Sequence, residues 1–313
     1  MTLDQNYALQ RVKGIKESFD NGVQEELMQY MDNRVIDMYT TSEVFEIFTS
    51  TEGLTGFKEL GDLETPPSLA LEDGYSVTIY EKRYGGAITL PEKVYRREGK
   101  DNTLKVDTYL MRQRNQLIKD SVNFLLEDAF DFVNGAFDTD NLSPDGKALI
   151  ADDHTWNTGG TFDNKTDAPL SETAVNAVVE YGGDFKDPSG KPMPLNFDTI
   201  IVKKGSPNAI TAKKLFAESI YPTQVADINI YEGTFTVIET PYITATNKNY
   251  WFMVDSRMEN PVKLGIGEFP TMREPIVEKN QSIFSPITGF WKKGIVNVPY
   301  AWYGSDGTGV VSE

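Results

Sequence analysis

The sequence contains no cysteine, a single histidine and no long apolar run. Without cysteine the chain can form neither disulfides nor thiolate zinc sites, so packing and hydrogen bonding must hold the fold. No stretch of about 18 consecutive apolar residues occurs, so no membrane-spanning helix is predicted. The first 20 residues lack a basic segment followed by an apolar core, so no signal peptide is predicted and we expect the protein to be made in the cytosol.

Basic residues are few compared with acidic ones. The chain has 30 lysines and arginines against 47 aspartates and glutamates, which gives a net charge of −17. Such a surface repels nucleic acid phosphates, so sequence-specific binding of DNA or RNA is not expected. Aromatic residues make up 12% of the chain, which argues against disorder. The length of 313 residues predicts two domains or one large elaborated domain.

Frameworks for catalysis are also missing. His154 follows Asp152 and Asp153, a grouping that occurs in catalytic bases and in cation sites. No nucleophile motif accompanies it, and one histidine without cysteine rarely makes a zinc site. A structural role for His154 is therefore favoured, and a cation-dependent hydrolase centred on these three residues is kept as an alternative.

Three aspartates form the other candidate cation group. Asp138, Asp140 and Asp145 lie close together beside Asn141, but Leu142 and Ser143 occupy positions where a calcium loop needs a ligand and a glycine. No phosphate-binding or dinucleotide-binding glycine motif is present. We therefore predict no catalytic residue, no metal, no cofactor and no enzyme activity.

The element around which the rest is organised is a long amphipathic helix predicted over residues 107–134. Asp107 is a candidate N-cap, and Gly135 is a candidate C-terminal stop. Basic residues occupy its first half and acidic residues its second, against the preference of the helix macrodipole, so contacts outside the helix must account for the order. Its apolar positions recur at helical spacing: Leu110, Leu117, Ile118, Val122, Leu125, Leu126, Ala129, Phe130 and Val133.

Residues 3–38 read as one or two amphipathic helices with a break near Gly22. They carry too narrow an apolar face to form a core of their own. Two interpretations stay open, a helical hairpin on the parent domain or an arm that packs on a neighbouring subunit.

The next segment predicts strands. Residues 43–50 are strand-like, and 57–63 with 75–84 form two further strands of an extended ribbon. A competing interpretation places a hairpin turn at Gly85 and Gly86. Because an isolated two-stranded ribbon is marginal in water, this one needs a partner surface within or outside the subunit.

The second half of the chain predicts an α/β unit. A long irregular loop over 138–168 precedes a helix over 170–181, capped by Ser171. The following elements are a strand at 197–203, a helix at 207–220, strands at 227–230, 235–239 and 250–255, and tail strands over 283–303 that return to the first domain. The chain is therefore predicted to be α+β.

The order of these parts resembles the major capsid proteins of tailed bacteriophages, with the Hong Kong 97-type fold and its Mu-like branch. The resemblance covers roughly residues 40–303. It is carried by three phrases: GYSVTIYEKRYGGAITLPEKVYRRE before the long helix, GKALIADDHTWNTGGTFDNKTDAPLSETAV after it, and NFDTIIVKKGSPNAITAKKLF in the α/β unit.

The resemblance implies a domain plan. It consists of an N-terminal arm (1–54), an extended β-loop (55–86), a peripheral domain with the spine helix (87–165, helix 107–134), an axial domain (166–276) and return strands to the peripheral domain (277–313).

The resemblance also implies a function. The chain would form hexamers and pentamers of an icosahedral shell around a double-stranded DNA phage genome, assembled in the host bacterial cytoplasm. It would work with a separate scaffolding protein, a portal and a decoration protein. An encapsulin-like shell protein is the closest alternative.

Seven residues are predicted to contact neighbouring subunits. The basic half of the long helix, with Arg112, Arg114 and Lys119, is expected to face the acidic tip of a neighbour's ribbon at Glu64 and Glu72. Two ribbon tyrosines, Tyr75 and Tyr80, complete the set.

Overall fold

The computed structural model confirms a mixed α+β chain. It describes residues 3–31, 34–55, 59–60, 62, 64–68, 70–95, 102–216, 231 and 233–309. The helices are α1 (Leu3–Met31), α2 (Glu92–Tyr95), α3 (Asn102–Ala129), α4 (Asp131–Asn134), α5 (Glu172–Asp184) and α6 (Pro207–Phe216). The strands are β1 (Asp37–Thr40), β2 (Phe45–Thr55), β3 (Ala70–Tyr80), β4 (Lys82–Leu90), β5 (His154–Thr155), β6 (Thr161–Phe162), β7 (Lys165–Thr166), β8 (Thr199–Lys203), β9 (Thr236–Thr240), β10 (Trp251–Val254), β11 (Val262–Met272), β12 (Ile276–Val277), β13 (Ile283–Ile295) and β14 (Trp302–Ser305). No described helix has the length and apolar character needed to cross a membrane.

Helix α1 packs along α3 and β11 of its own subunit. The predicted break at Gly22 is wrong, because the helix continues through it. A Cβ at Gly22 would lie 2.7 Å from Ile118 Cδ1, so this glycine permits close approach to α3 rather than ending α1. The buried face of α1 comprises Ala8, Val12, Ile15, Phe19, Val23 and Leu27.

The long helix begins and ends earlier than the sequence predicts. Asn102 opens α3, so Asp107 lies inside the helix rather than at its N-cap. A turn at Phe130 separates α3 from α4, where the Val133 amide donates to the Phe130 carbonyl three residues back. The predicted stop after Asn134 coincides with the end of α4.

The first sheet has the order β1-β11-β13-β12, and β4 pairs with the other edge of β13. The hairpin turn predicted at Gly85 and Gly86 is wrong, because both lie within β4 opposite Thr288 and Ile287. A Cβ at Gly85 would lie 2.8 Å from the Ile287 carbonyl oxygen, so close strand packing explains the glycine.

The second sheet has the order β7-β14-β10-β8-β9 and is accompanied by α5 and α6. All four residues of β10 are buried, as are the first four of β8, which fits their continuous apolar sequences. The Ser171 hydroxyl accepts from the Ala174 amide at 3.2 Å, which confirms the predicted cap.

The two sheets do not follow the predicted boundary at residue 276. Strand β11, placed in the axial segment by the sequence, belongs to the first sheet, together with β13. Of the tail strands, β13 returns to the first sheet as predicted, whereas β14 pairs with β10 of the second sheet.

Strands β2 and β3 form a separate antiparallel ribbon, in which Phe45 pairs with Tyr80 and Thr55 with Ala70. The ribbon therefore begins inside the segment predicted as the N-terminal arm. The predicted strand 57–63 lies mostly outside the described residues, and its described members, Glu59, Leu60 and Asp62, are not in a strand. The predicted strand 227–230 and the end of the predicted helix 207–220 also lie outside the described residues.

Candidate inter-subunit surfaces

The outer face of the ribbon exposes large apolar side chains. Phe45, Ile47 and Tyr80 are 52%, 62% and 66% exposed. Phe45 and Tyr80 are cross-strand partners with ring centroids 6.3 Å apart. Fully burying one such side chain is worth roughly 1.5–3 kcal/mol, so this face gains free energy from any surface that covers it. We name Phe45, Ile47 and Tyr80 the outer ribbon face.

The inner face of the ribbon packs on the first sheet of the same subunit. Ile79 is buried against β13, where a Cβ added at Gly294 would lie 2.4 Å from Ile79 Cγ2. The Lys263 Nζ lies 5.6 Å from the ring centroid of Phe48. The strand alternation therefore separates a face anchored within the subunit from a face left open.

A buried ion pair fixes the base of the ribbon. Lys292 is buried, and its Nζ lies 2.9 Å from Glu46 Oε1. Burial alone would raise the pKa of Glu46, but hydrogen bonds donated by Thr41, Tyr39 and Lys292 outweigh it and hold that pKa below its usual range. The ribbon base is thus joined to β1 and β13 by polar contacts as well as by packing.

Further along, Glu52 joins the ribbon to a distant turn. Its buried carboxylate accepts from the backbone amides of Asn157 and Thr158 and from the Thr158 hydroxyl, each at 2.9 Å. The Asn157 Nδ2 donates to the Asp73 carbonyl on the other strand at 3.0 Å. Gly159, with φ of 100°, allows the tight turn. We call Glu52, Asn157 and Thr158 the ribbon clasp, a feature that sequence reasoning missed.

The predicted contact tyrosines lie on different faces. Tyr80 belongs to the outer ribbon face, whereas the half-buried Tyr75 reaches its own subunit, with its hydroxyl 3.3 Å from Thr155 Oγ1. At the far end of the ribbon, Glu64 is exposed and Glu72 is half-buried.

The three basic residues of α3 that are predicted to contact a neighbour divide in the same way. Arg112 and Lys119 are exposed, whereas Arg114 Nη2 donates to the Ser18 carbonyl of α1 at 2.9 Å. Arg114 therefore joins two helices of one subunit, and only Arg112 and Lys119 project outward as a neighbour contact requires.

Two acidic residues near the C-terminal end of the long helix, Asp128 and Asp131, are paired within the subunit. Lys293 Nζ lies 2.9 Å from Asp128 Oδ1 and 3.2 Å from Asp131 Oδ2. The Trp291 Nε1 donates to Asp128 Oδ2 at 2.9 Å. Strand β13 thus supplies the partners of Asp128 and Asp131, acidic residues that the helix macrodipole disfavours at this end of the helix.

His154 is locked in the interior. Its Nδ1 lies 2.7 Å from Asp145 Oδ2, and its ring stacks on Phe162. Burial alone would raise the pKa of Asp145, but hydrogen bonds from His154 and Ser143 outweigh it and lower that pKa to about 2. Asp145, also bound to the Thr155 amide at 3.0 Å, thereby organises the strand that leads into the ribbon clasp.

The neighbouring aspartates do not join His154. Asp152 and Asp153 are exposed, and Asp153 pairs with Lys147. Across the described ranges, no group of three histidine, cysteine, aspartate or glutamate side chains is placed to hold a metal ion. The hydrolase centre considered from the sequence is therefore not assembled.

Comparison with known proteins rests on structure. No protein-family model and no curated protein matches this sequence. Among solved structures, a chain of Microbacterium phage Oxtober96 superposes with a TM-score of 0.52 at 9% identity, over 87% of this chain and 88% of that chain. A chain from the capsid of Myoviridae phage XM1 gives 0.51 at 12% identity, over 88% and 90%.

A chain from the head of Helicobacter pylori bacteriophage KHP40 also gives 0.51, at 10% identity, over 87% of this chain and 88% of that chain. The fold is that of phage capsid subunits. This agrees with the Hong Kong 97-type fold that the sequence resemblance implies. The fold predicted from the sequence resemblance is thereby confirmed, at identities of 9%, 12% and 10%.

Proposed function

We propose that this chain is the major capsid subunit of a tailed phage. Copies of it would associate as hexamers and pentamers into an icosahedral shell that encloses a double-stranded DNA genome. The observation that carries the proposal is the fold, shared with chains from a phage capsid and a phage head over almost their whole length. The first sheet with α1 and α3 would be the peripheral domain, and the second sheet with α5 and α6 the axial domain.

The outer ribbon face supports self-association. Its three exposed side chains project from a two-stranded element that cannot cover them. In a closed shell, symmetry repeats each contact many times, so modest interfaces accumulate into a stable particle. Arg112 and Lys119 of the spine helix would add contacts with the acidic ribbon of a neighbour at Glu64 and Glu72.

Other features support a structural role without catalysis. His154 and Asp145 are used in internal bonds, and the net charge of −17 would keep the shell from trapping packaged DNA. Assembly would take place in the host bacterial cytoplasm with a separate scaffolding protein and a portal. A decoration protein would complete the virion capsid.

Electron microscopy of the expressed protein tests the proposal, alone and with the products of neighbouring genes. We expect capsomers, tubes or shells. Replacing Phe45 and Ile47 together by serine should abolish them, because the outer ribbon face then has little apolar area to bury. Ile210→Ser, at a 57% exposed position on α6, is the matched control and should assemble normally. Wild-type protein that stays monomeric under all these conditions would contradict the proposal.

A further inference from the structure

The turn in the ribbon clasp has the form of a small anion-binding site. Residues 156–160, which we call the clasp turn, close on themselves through two backbone hydrogen bonds of 3.0 and 3.1 Å. Gly159 and Gly160 have φ of 100° and 93°, a backbone conformation that glycine adopts without strain. The successive amides of Asn157 and Thr158 both point to one carboxylate. Successive backbone amides arranged in this way bind anions.

Glu52 fills this site through hydrogen bonds and without a cationic partner. Its side chain is 3% exposed, and its two oxygens accept from the two amides and from the Thr158 hydroxyl, each at 2.9 Å. At the ribbon base Glu46 is paired with Lys292, whereas no lysine or arginine in the described part of the chain pairs with Glu52. The clasp turn therefore recognises the carboxylate group itself, through donors that a free carboxylate could equally use.

The strand around Glu52 is not held in a regular ladder. The register between β2 and β3 shifts between Thr49 and Thr51, and again between Thr51 and Leu54. Glu52 and Gly53 lie in the second irregularity, where Gly53 has φ of 112° and a Cβ would meet nothing within 4 Å. Residues in such an irregularity are not paired across the ribbon. Glu52 can therefore leave the clasp turn by a local backbone movement that keeps the ladder on either side.

We propose that the clasp turn is a carboxylate-binding site and that Glu52 is its exchangeable ligand. In one state Glu52 occupies the site and attaches the middle of β2 to the subunit. In the other state a small carboxylate from solvent occupies the site and the middle of β2 is released. Because the solvent carboxylate binds only the second state, raising its concentration favours release. The Asn157 side chain, which donates to the Asp73 carbonyl, keeps β3 beside the clasp turn in both states.

Glu52→Ala with acetate tests the site. The substitution removes a methylene group and a carboxylate, which together match one acetate ion, and it leaves the donors of the clasp turn without their acceptor. Acetate should therefore bind the unassembled variant and shift the backbone amide NMR signals of Asn157 and Thr158 along a saturating curve. Sodium chloride at the same ionic strength should not.

The wild type and a second variant are the controls for this titration. Wild-type protein should need about tenfold more acetate for the same shift, because Glu52 competes as an intramolecular ligand. Glu43→Ala, at an exposed position just before β2, should respond as the wild type does. A folded Glu52→Ala variant whose Asn157 and Thr158 signals ignore acetate would overturn the inference, as would equal acetate dependence in variant and wild type.

Hydrogen exchange of the wild type tests the release without any substitution. Acetate should speed exchange at residues 50–54, compared with chloride at the same ionic strength, and should leave β8 and β10 unchanged. If exchange in β8 and β10 shows that Glu52→Ala is unfolded, this measurement decides, and equal exchange at residues 50–54 in the two salts overturns the inference. Neither experiment depends on assembly, so the proposed function stands or falls separately by electron microscopy.

Discussion

The ribbon and the second sheet place the apolar side chains of their strands in opposite ways. In β8 and β10 almost every side chain is buried by the same subunit, and the strands read as continuous apolar runs. In β2, Phe48 faces the subunit while Phe45 and Ile47 face away from it. Strands β8 and β10 therefore bury their apolar side chains within the subunit, whereas the ribbon leaves Phe45 and Ile47 for another molecule to cover. This contrast separates the side chains that stabilise the subunit from those available to stabilise the proposed assembly.

The largest loss of subunit stability should come from a substitution in the second sheet. Trp251→Ala in the centre of the second sheet removes a fully buried side chain, and we expect a loss of about 3–5 kcal/mol in the free energy of unfolding. Phe45→Ala should change it by less than about 0.5 kcal/mol, because Phe45 is exposed. Denaturant unfolding of the unassembled subunit measures both. Similar losses of unfolding free energy for the two variants would contradict the distinction between the second sheet and the ribbon.

The buried Asp145 should make the body sensitive to acid. Its pKa of about 2 lies below the ordinary value of 3.8, so its contribution to stability is fully present above pH 3.8 and is lost as the pH falls through about 2. Asp145→Asn should therefore cost about 2 kcal/mol near neutral pH. Unfolding measured from pH 7 to pH 2 should show the wild type and the variant converging in acid, and a constant difference would be inconsistent with this account.

The ribbon clasp gives a local test. Glu52→Gln keeps the shape of the side chain but replaces one acceptor oxygen by a donor that faces amide hydrogens, at a cost of about 1–2 kcal/mol. Hydrogen exchange should rise in β2 and β3 and stay unchanged in β8 and β10. Exposed Glu43, replaced by Gln, is the control and should leave exchange in the ribbon as it is. Faster exchange throughout the subunit would show that the ribbon clasp stabilises the whole subunit and not the ribbon alone.

The smallest predicted effect is a difference in subunit stability between variants of two nearby arginines, Arg112 and Arg114. Arg114→Ala removes the bond to the Ser18 carbonyl between α3 and α1, so subunit stability should fall by about 1 kcal/mol. Arg112→Ala should leave subunit stability within about 0.5 kcal/mol of the wild type, because its side chain is exposed. Thermal unfolding of both variants checks this, and an equal loss for the two would remove the distinction.

Local signals carried the sequence predictions that succeeded. The 3.6-residue period of α3, the Ser171 cap and the apolar run of β8 each depend on residues close in sequence, and each is found in the structure. The fold class and its likeness to capsid subunits followed from the order of such elements.

The predictions that failed depended on close approach between distant segments. Gly22 and Gly85 look like breaks because glycine usually ends an element, but Ile118 and Ile287 press against them. Arg114 is predicted to contact a neighbour, but in the structure it binds the Ser18 carbonyl of α1 in the same subunit. Glu52 carries no local signal for its role, because the turn that it binds begins 105 residues later in the chain, at Asn157.

Strand β14 has a consequence for how the subunit is made. It pairs with β10 on one side and, in parallel, with β7 on the other, where Gly304 lies opposite Lys165. The second sheet therefore remains incomplete until residues 302–305 have been synthesised, and until then β7 and β10 each have an open edge. Pairing across such a long sequence separation is slow. A chain without residues 302–305 would lack the strand that joins β7 to β10, so both of those strands would keep an open edge.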